Sequence, residues 1–104
     1  VFSLSIPKKK IVYSLCVPSM DESITNDSVF YEIGKLALGK ILNIVLVPNK
    51  HGDTQKAFIN FESIKDTHQI ITYLNSSKDN HINVFYANGP WFWKVYKSNY
   101  SPNI

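Results

Sequence analysis

The chain has 104 residues, which is enough for one compact domain with a hydrophobic core and too few for two ordinary domains. Hydrophobic residues make up 44% of the sequence and charged residues 18%, a balance that argues against intrinsic disorder. No apolar stretch is long enough to cross a bilayer, so we expect no membrane span and no membrane partner. The formal net charge of +3 is mildly basic and is compatible with an anionic partner.

The cysteine content and the type of basic residue narrow the expected environment and mode of binding. Cys16 is the single cysteine, so no internal disulfide forms and we expect an intracellular, reducing compartment. All 11 basic residues are lysines, so the bidentate contacts typical of arginine are excluded. Any contact with nucleic acid therefore depends on lysine as a point charge.

The hydrophobic pattern of the N-terminal part of the sequence predicts a strand followed by a helix. The run Ile11–Val17 is apolar and β-prone and ends before a proline, which is typical of a strand. Thr25 is placed to cap a helix, with Ile24 packing on Val29, and we expect this helix to end at Gly39. The apolar positions at helical spacing, which predict its buried stripe, are Val29, Phe30, Ile33, Leu36 and Ala37.

The central part predicts two strands and a second helix. Ile41–Val47 and Lys56–Phe61 are the strands, separated by a turn-rich loop over Asn49–Thr54. Ser63 and Asp66 match a capping box, so we expect the second helix to begin there. Alternation places Ala57, Ile59 and Phe61 on one face of the third strand, and Lys56, Phe58 and Asn60 on the other.

The remaining segments complete the predicted fold. The second helix has its inner stripe at Ile70, Ile71 and Leu74. A short strand over Ile82–Tyr86 and a last strand over Pro90–Tyr96 follow, with a turn at Asn88-Gly89 between them. We interpret the order as strand, helix, strand, strand, helix, strand. This predicts an α+β domain of the split βαβ type, with a four-stranded antiparallel sheet and two helices on one face. We expect this domain over residues 11–97, an N-terminal extension over 1–10 and a C-terminal tail over 98–104.

Two segments resemble the signatures of RNA-recognition-motif (RRM) domains. Leu15–Met20 lies where that family has its first-strand hexamer, and Thr54–Phe61 lies where it has its third-strand octamer. The resemblance covers residues 11 to about 97, and the matching octamer residues are Ala57, Phe58, Ile59 and Phe61. Residues 86–95 resemble, over a shorter length, an aromatic ending in RRM-like proteins of large nucleocytoplasmic DNA viruses. A viral source would imply the host cytoplasm or the virion as the location.

The resemblance implies a nucleic-acid-binding domain that stacks bases on three aromatic side chains of its open sheet face. In this sequence Cys16 and Lys56 occupy two of those positions, and Phe58 alone remains aromatic. Each stacked base contributes about 1–3 kcal/mol, so two missing rings weaken binding substantially. We therefore expect weak, salt-dependent and sequence-tolerant binding of single-stranded RNA or DNA.

The candidate nucleic-acid-binding residues combine the remaining aromatic position with polar, basic and aromatic neighbours. They are Phe58, Lys56, Asn60, Lys50, Lys94 and Trp93. His51 and the run Lys8–Lys10 are further candidates for phosphate contact. Structural interpretations stay open for several of these residues. Phe58 is also suited to contact a protein partner or to be covered by the C-terminal tail. Lys56 is equally suited to keep an open sheet face soluble, and Trp93 to fill the core.

The alternative function is a protein-interaction module of the same fold, which binds a protein partner or a second copy, or forms part of a virion. Catalysis has little support in the sequence. The three histidines have no metal-ligand spacing, the glycines form no phosphate-binding loop, and no catalytic triad can be assembled. We therefore expect a protein that is not an enzyme and that has no metal and no cofactor.

Overall fold

The fold consists of two helices and five strands within residues 10–50, 52–87 and 89–98, the part of the chain that the computed structural model describes. The elements in chain order are β1 (Tyr13–Asp21), α1 (Asn26–Gly34), β2 (Gly39–Pro48), β3 (Thr54–Ile64), α2 (Gln69–Ser76), β4 (His81–Phe85) and β5 (Phe92–Lys97). The strands form one antiparallel sheet in the order β2-β3-β1-β5-β4. The predicted α+β class is confirmed, but the sheet has five strands instead of the predicted four.

The sheet has one strand more than predicted because the last two predicted strands pair with each other as a hairpin and both belong to the sheet. Across its loop, the Tyr86 amide donates to the Trp91 carbonyl at 3.2 Å, and the Gly89 amide donates to the Tyr86 carbonyl at 3.3 Å. Asn88, part of the predicted turn, lies outside the described residues. β5 pairs with both β1 and β4, so β4 becomes an outer edge of the sheet.

A single core lies between the sheet and the two helices. α1 contributes Val29 and Ile33, and α2 contributes Ile71 and Leu74. The sheet contributes Leu15, Val17, Ala57, Ile59, Phe61, Trp93 and Val95. Both helices therefore cover the same face of the sheet, and the predicted inner face of the third strand is confirmed. Neither described helix is long and apolar enough to cross a membrane.

The first helix begins as predicted and ends five residues early. The Thr25 side chain accepts a hydrogen bond from the Ser28 amide at 3.2 Å, so the predicted cap is confirmed. The helix ends at Gly34, and Ala37 then adopts a left-handed conformation with φ 54°. This turn carries the chain into β2, so Gly39 begins a strand instead of ending a helix. Phe30, predicted in the buried stripe, is exposed on the solvent side of α1.

The second helix begins later than predicted. β3 continues through Ser63 to Ile64 because these two residues pair with Lys40 and Gly39 of β2. The capping-box prediction at Ser63 is therefore wrong. His68 is the cap instead, and its Nδ1 accepts a hydrogen bond from the Ile70 amide at 3.1 Å.

Candidate nucleic-acid interface

The sheet face away from the helices, called the open face below, carries a row of side chains that crosses all five described strands. In the register, Val45 pairs with Phe58, Phe58 with Cys16, Cys16 with Tyr96, and Tyr96 with His81. Directly paired residues project from the same side of a sheet, so these five side chains form one continuous row. The rings of Tyr96 and His81 lie 5.0 Å apart between centroids, at a tilt of 36°.

Two lysines lie on the open face beside this row. Lys56 is two residues from Phe58 on β3, and Lys94 is two residues from Tyr96 on β5, so each shares the face of its aromatic neighbour. The acidic residues of the five described strands lie away from the centre. Asp21 ends β1, and Glu62 forms an ion pair with Lys40 at 3.0 Å. The centre of the open face is therefore basic.

Asn60, predicted as a binding residue, belongs to a hydrogen-bonded ladder across β1, β3 and β2. Ser14 Oγ donates to Asn60 Oδ1, and Asn60 Nδ2 donates to Asn43 Oδ1 at 2.7 Å. The Asn60 residue is only 3% exposed. Because both polar atoms of its side chain are engaged with neighbouring strands, Asn60 connects the sheet and is not presented to a ligand. The alternation along the third strand correctly placed Asn60 on the open face, but it could not predict that the Asn60 side chain is buried there.

Cys16 lies half-buried between Phe58 and Tyr96 in the row. Burial raises the pKa of its thiol above the ordinary value, and the nearby positive charge of Lys56 lowers it by a smaller amount. The net shift is upward, so the thiol keeps its proton near neutral pH. Cys16 therefore contributes a small neutral surface between two rings.

Two cavities flank the row on the open face. One has a volume of about 340 Å³ and is lined by Ile11, Asn43, Val45, Val47, Phe58 and Asn60. The other has a volume of about 320 Å³ and is lined by Pro18, Ser19, Phe92, Lys94 and Tyr96. Both contain an aromatic ring next to polar or charged atoms, which is typical of ligand-binding surfaces.

The structure brings Phe58, Lys56 and Lys94 to the open face but directs Trp93 to the other side. Trp93 is 2% exposed, lies in the core and stacks on Tyr86 at a centroid distance of 4.6 Å. Trp93 therefore occupies the core, the alternative that the sequence analysis left open for it, and its ring is not displayed on the open face. Lys50 lies exposed near the β2–β3 connection. His51, Lys8 and Lys9 lie outside the described residues.

The sequence interpretation missed the aromatic residues that β4 and β5 add to the open face. With Trp93 and Val95 inside, alternation places Phe92, Lys94 and Tyr96 outside, and pairing with β4 adds His81 and Phe85. The signal was present in the alternation of the last strand, but it required a decision on which face Trp93 occupies. The register between β5 and β1, which sets Tyr96 beside Cys16, has no local signal.

The described residues were compared with metal-site arrangements, and the chain with known proteins. Within the described residues, no group of three or more His, Cys, Asp or Glu side chains is arranged to hold a metal ion. No family model matches this chain, and no curated protein or solved structure matches it either. Any function assigned to the open face therefore depends on its geometry and charge.

Proposed function

We propose that this domain binds single-stranded nucleic acid, RNA or DNA, on its open face. The observation that supports this most directly is the row containing Phe58, Tyr96 and His81, with Lys56 and Lys94 beside it. Aromatic rings stack on any base, and lysines attract the phosphates between bases. This combination favours sequence-tolerant binding that weakens with salt.

Cys16 occupies a position where RRM domains have an aromatic ring, and Tyr96 on the neighbouring strand supplies a second ring close to it. Neighbouring strands are about 4.8 Å apart, so Tyr96 lies about 10 Å from Phe58, with Cys16 between them. Two rings at this separation suit two bases that stack on the protein and not on each other. The neutral Cys16 side chain between them presents no charge that would repel the connecting phosphate.

We further propose that the domain is RRM-like with an added edge strand. When β4 is set aside, the elements β1, α1, β2, β3, α2 and β5 follow the predicted βαββαβ order. Phe58, the aromatic residue retained in the octamer, lies on the open face as this interpretation requires. β4 then extends the sheet at one edge.

The second candidate function is a protein-interaction module, and one observation favours it. Phe85, Trp91 and Phe92 are large apolar side chains that are all exposed near the β4–β5 loop. Clustered exposed apolar side chains often mark protein contacts. This candidate predicts little affinity for oligonucleotides at physiological salt, whereas the proposed function predicts measurable affinity that rises as salt is lowered.

The proposed function is tested by fluorescence anisotropy with labelled single-stranded RNA and DNA of matched sequence, at low and at physiological salt. Phe58→Ala and Tyr96→Ala should each weaken binding by about fivefold or more, because each removes one stacking ring. Tyr73→Ala is the matched control, since this exposed aromatic residue lies on α2, away from the open face. An absence of saturable binding at low salt would overturn the proposal.

A second measurement locates the bound strand. Cys16 is the single cysteine and lies within the row, so its alkylation reports on access to the centre of the open face. Saturating oligonucleotide should slow the reaction of Cys16 with iodoacetamide. Unchanged alkylation in the presence of a bound oligonucleotide would place the binding site elsewhere on the molecule.

A further inference from the structure

We infer that the β4–β5 hairpin carries a second base-stacking site, so that the bound strand extends from the central row to the edge of the sheet. The site consists of Phe85 and Phe92, and Lys94 lies between it and Tyr96. This inference rests on the proposed function and adds a separate subsite, with its own aromatic residues, to it.

The first argument is the geometry of the aromatic pair. Phe85 and Phe92 are directly paired across the hairpin, with ring centroids 5.3 Å apart and an interplanar angle of 48°. Phe85 is 59% exposed and Phe92 is 43% exposed. Exposure of two adjacent apolar rings to water is unfavourable, and a base stacked on them would remove part of that apolar surface from water.

The second argument is continuity with the central row. Phe92, Lys94 and Tyr96 alternate along β5 on the open face, and four residues of strand span about 13 Å. The cavity of about 320 Å³ lies along these three side chains. β1 forms its other wall with Pro18 and Ser19, which leave the regular ladder between Val17 and Met20. A groove therefore connects Phe92, one ring of the aromatic pair, to Tyr96.

The third argument identifies the occupant of the groove by charge. Among the described residues that line this groove, Lys94 is the charged one and none carries a carboxylate, so the groove complements an anionic strand. Flat exposed rings with an intervening cation match the alternation of bases and phosphates.

The test compares a short and a long single-stranded oligonucleotide, of about four and about ten nucleotides, within the range that such platforms bind. Phe92→Ala and Phe85→Ala should weaken binding of the long strand by about fivefold or more and leave the short strand unaffected. Phe58→Ala should weaken binding of both. Tyr73→Ala serves again as the control for loss of an exposed aromatic side chain.

Trp91 provides an independent optical readout. It is 66% exposed and adjacent to Phe92, whereas Trp93 is buried. The long strand should quench the emission of Trp91, the short strand should not, and Trp91→Phe should abolish the difference. The remaining Trp93 emission and the circular dichroism spectrum show that each variant is folded.

The possible outcomes separate this inference from the proposed function. If Phe58→Ala weakens binding and Phe92→Ala affects neither length, the second site is refuted and the proposed function stands. If the wild type binds neither strand, both are refuted. If sedimentation instead shows self-association that Phe92→Ala abolishes, the aromatic pair is a contact between protein copies and the inference is overturned.

Discussion

At the scale of single residues, the open face contains groups that hold the sheet together as well as groups that are available to a ligand. Asn60 is the clearest example of the first kind, since its side chain connects Ser14 and Asn43 on the two neighbouring strands. A buried amide with both ends hydrogen-bonded stabilises the sheet, and removing it leaves the buried Ser14 hydroxyl unsatisfied. The side chains available for binding are those beside this ladder.

Asn60→Ala should therefore lower stability. Loss of the amide leaves the buried Ser14 hydroxyl without its partner, at a cost of about 1–3 kcal/mol, whereas the side chain of the exposed Asn43 can bond to water instead. For a domain of this size each kcal/mol corresponds to a fall in Tm of about 4–8 °C, which thermal circular dichroism measures. Asn83→Ala, an exposed asparagine on the same face, is the control and should shift Tm little. Equal Tm values for the two variants would contradict the ladder.

The Cys16 thiol should react slowly at neutral pH. Burial raises its pKa, so the reactive thiolate forms only at a pH above that of an ordinary thiol. Iodoacetamide labelling followed by mass spectrometry across a pH series should show that the labelling rate of Cys16 rises at a higher pH than that of an ordinary thiol. Lys56→Gln should raise the pKa further, since the lysine charge lowers it, whereas Lys94→Gln should leave it unchanged. Labelling at pH 7 as fast as that of free cysteine would contradict the expected burial.

At the scale of elements, the connection between α1 and β2 depends on two glycines with opposite requirements. Gly34 ends α1, and a Cβ added there would meet no atom within 4 Å. Gly39 begins β2, where an added Cβ would overlap the Ser63 carbonyl oxygen and lie 2.7 Å from Ile64 Cα. The close approach of β2 to the end of β3 therefore requires glycine at position 39.

Gly34→Ala and Gly39→Ala should change stability in opposite directions. Alanine at position 34 reduces the freedom of the unfolded chain and should stabilise the domain by about 0.4–1 kcal/mol. Alanine at position 39 must push two strand backbones apart and should destabilise it by about 1–3 kcal/mol. Urea unfolding of the two variants beside the wild type measures both values. A neutral Gly39→Ala would show that β2 and β3 do not approach each other this closely.

The outer edge of β2 shows how an exposed strand is protected from pairing with other chains. Asn26, the first residue of α1, donates its side-chain amide to the Ile44 carbonyl at 3.0 Å. Pro48 ends the strand without an amide hydrogen, and the register is irregular between Ile41 and Asn43. These features interrupt the row of backbone groups that a second strand would need.

Asn26→Ala should therefore expose this edge. The Ile44 carbonyl loses its side-chain donor, and Val45 and Val47 beside it are already exposed apolar residues. We expect faster aggregation on heating, measured by light scattering, at a modest cost in stability. Asp27→Ala, an exposed position of the same helix turn, is the control. Identical aggregation of the two variants would show that Asn26 does not protect the edge.

At the scale of the whole molecule, local sequence patterns predicted which helices and strands form. They predicted less well where each element begins and ends and which strands pair with each other. The alternation of Ala57, Ile59 and Phe61 predicted the inner face of β3 because burial has a period of two in any strand. Ser63 misled the helix prediction because pairing with Lys40 outweighs a local cap. The place of Tyr96 depends on β5 pairing with β1, where its partner Cys16 is 80 positions away in the chain, and such contacts leave no short-range pattern.

The charge distribution of the whole domain makes the salt dependence of binding predictable. Lys56 and Lys94 are central on the open face, and Lys50 is near the β2–β3 connection, so two or three phosphates should be neutralised. The logarithm of affinity for a single strand should then fall with the logarithm of salt with a slope of about −1.4 to −2.1. Lys56→Gln and Lys94→Gln should each reduce the slope by about 0.7, whereas Lys78→Gln, exposed after α2, should not change it. If all three variants keep the salt-dependence slope of the wild type, the phosphates contact lysines away from the open face. The row containing Phe58 and Tyr96 is then not the binding surface.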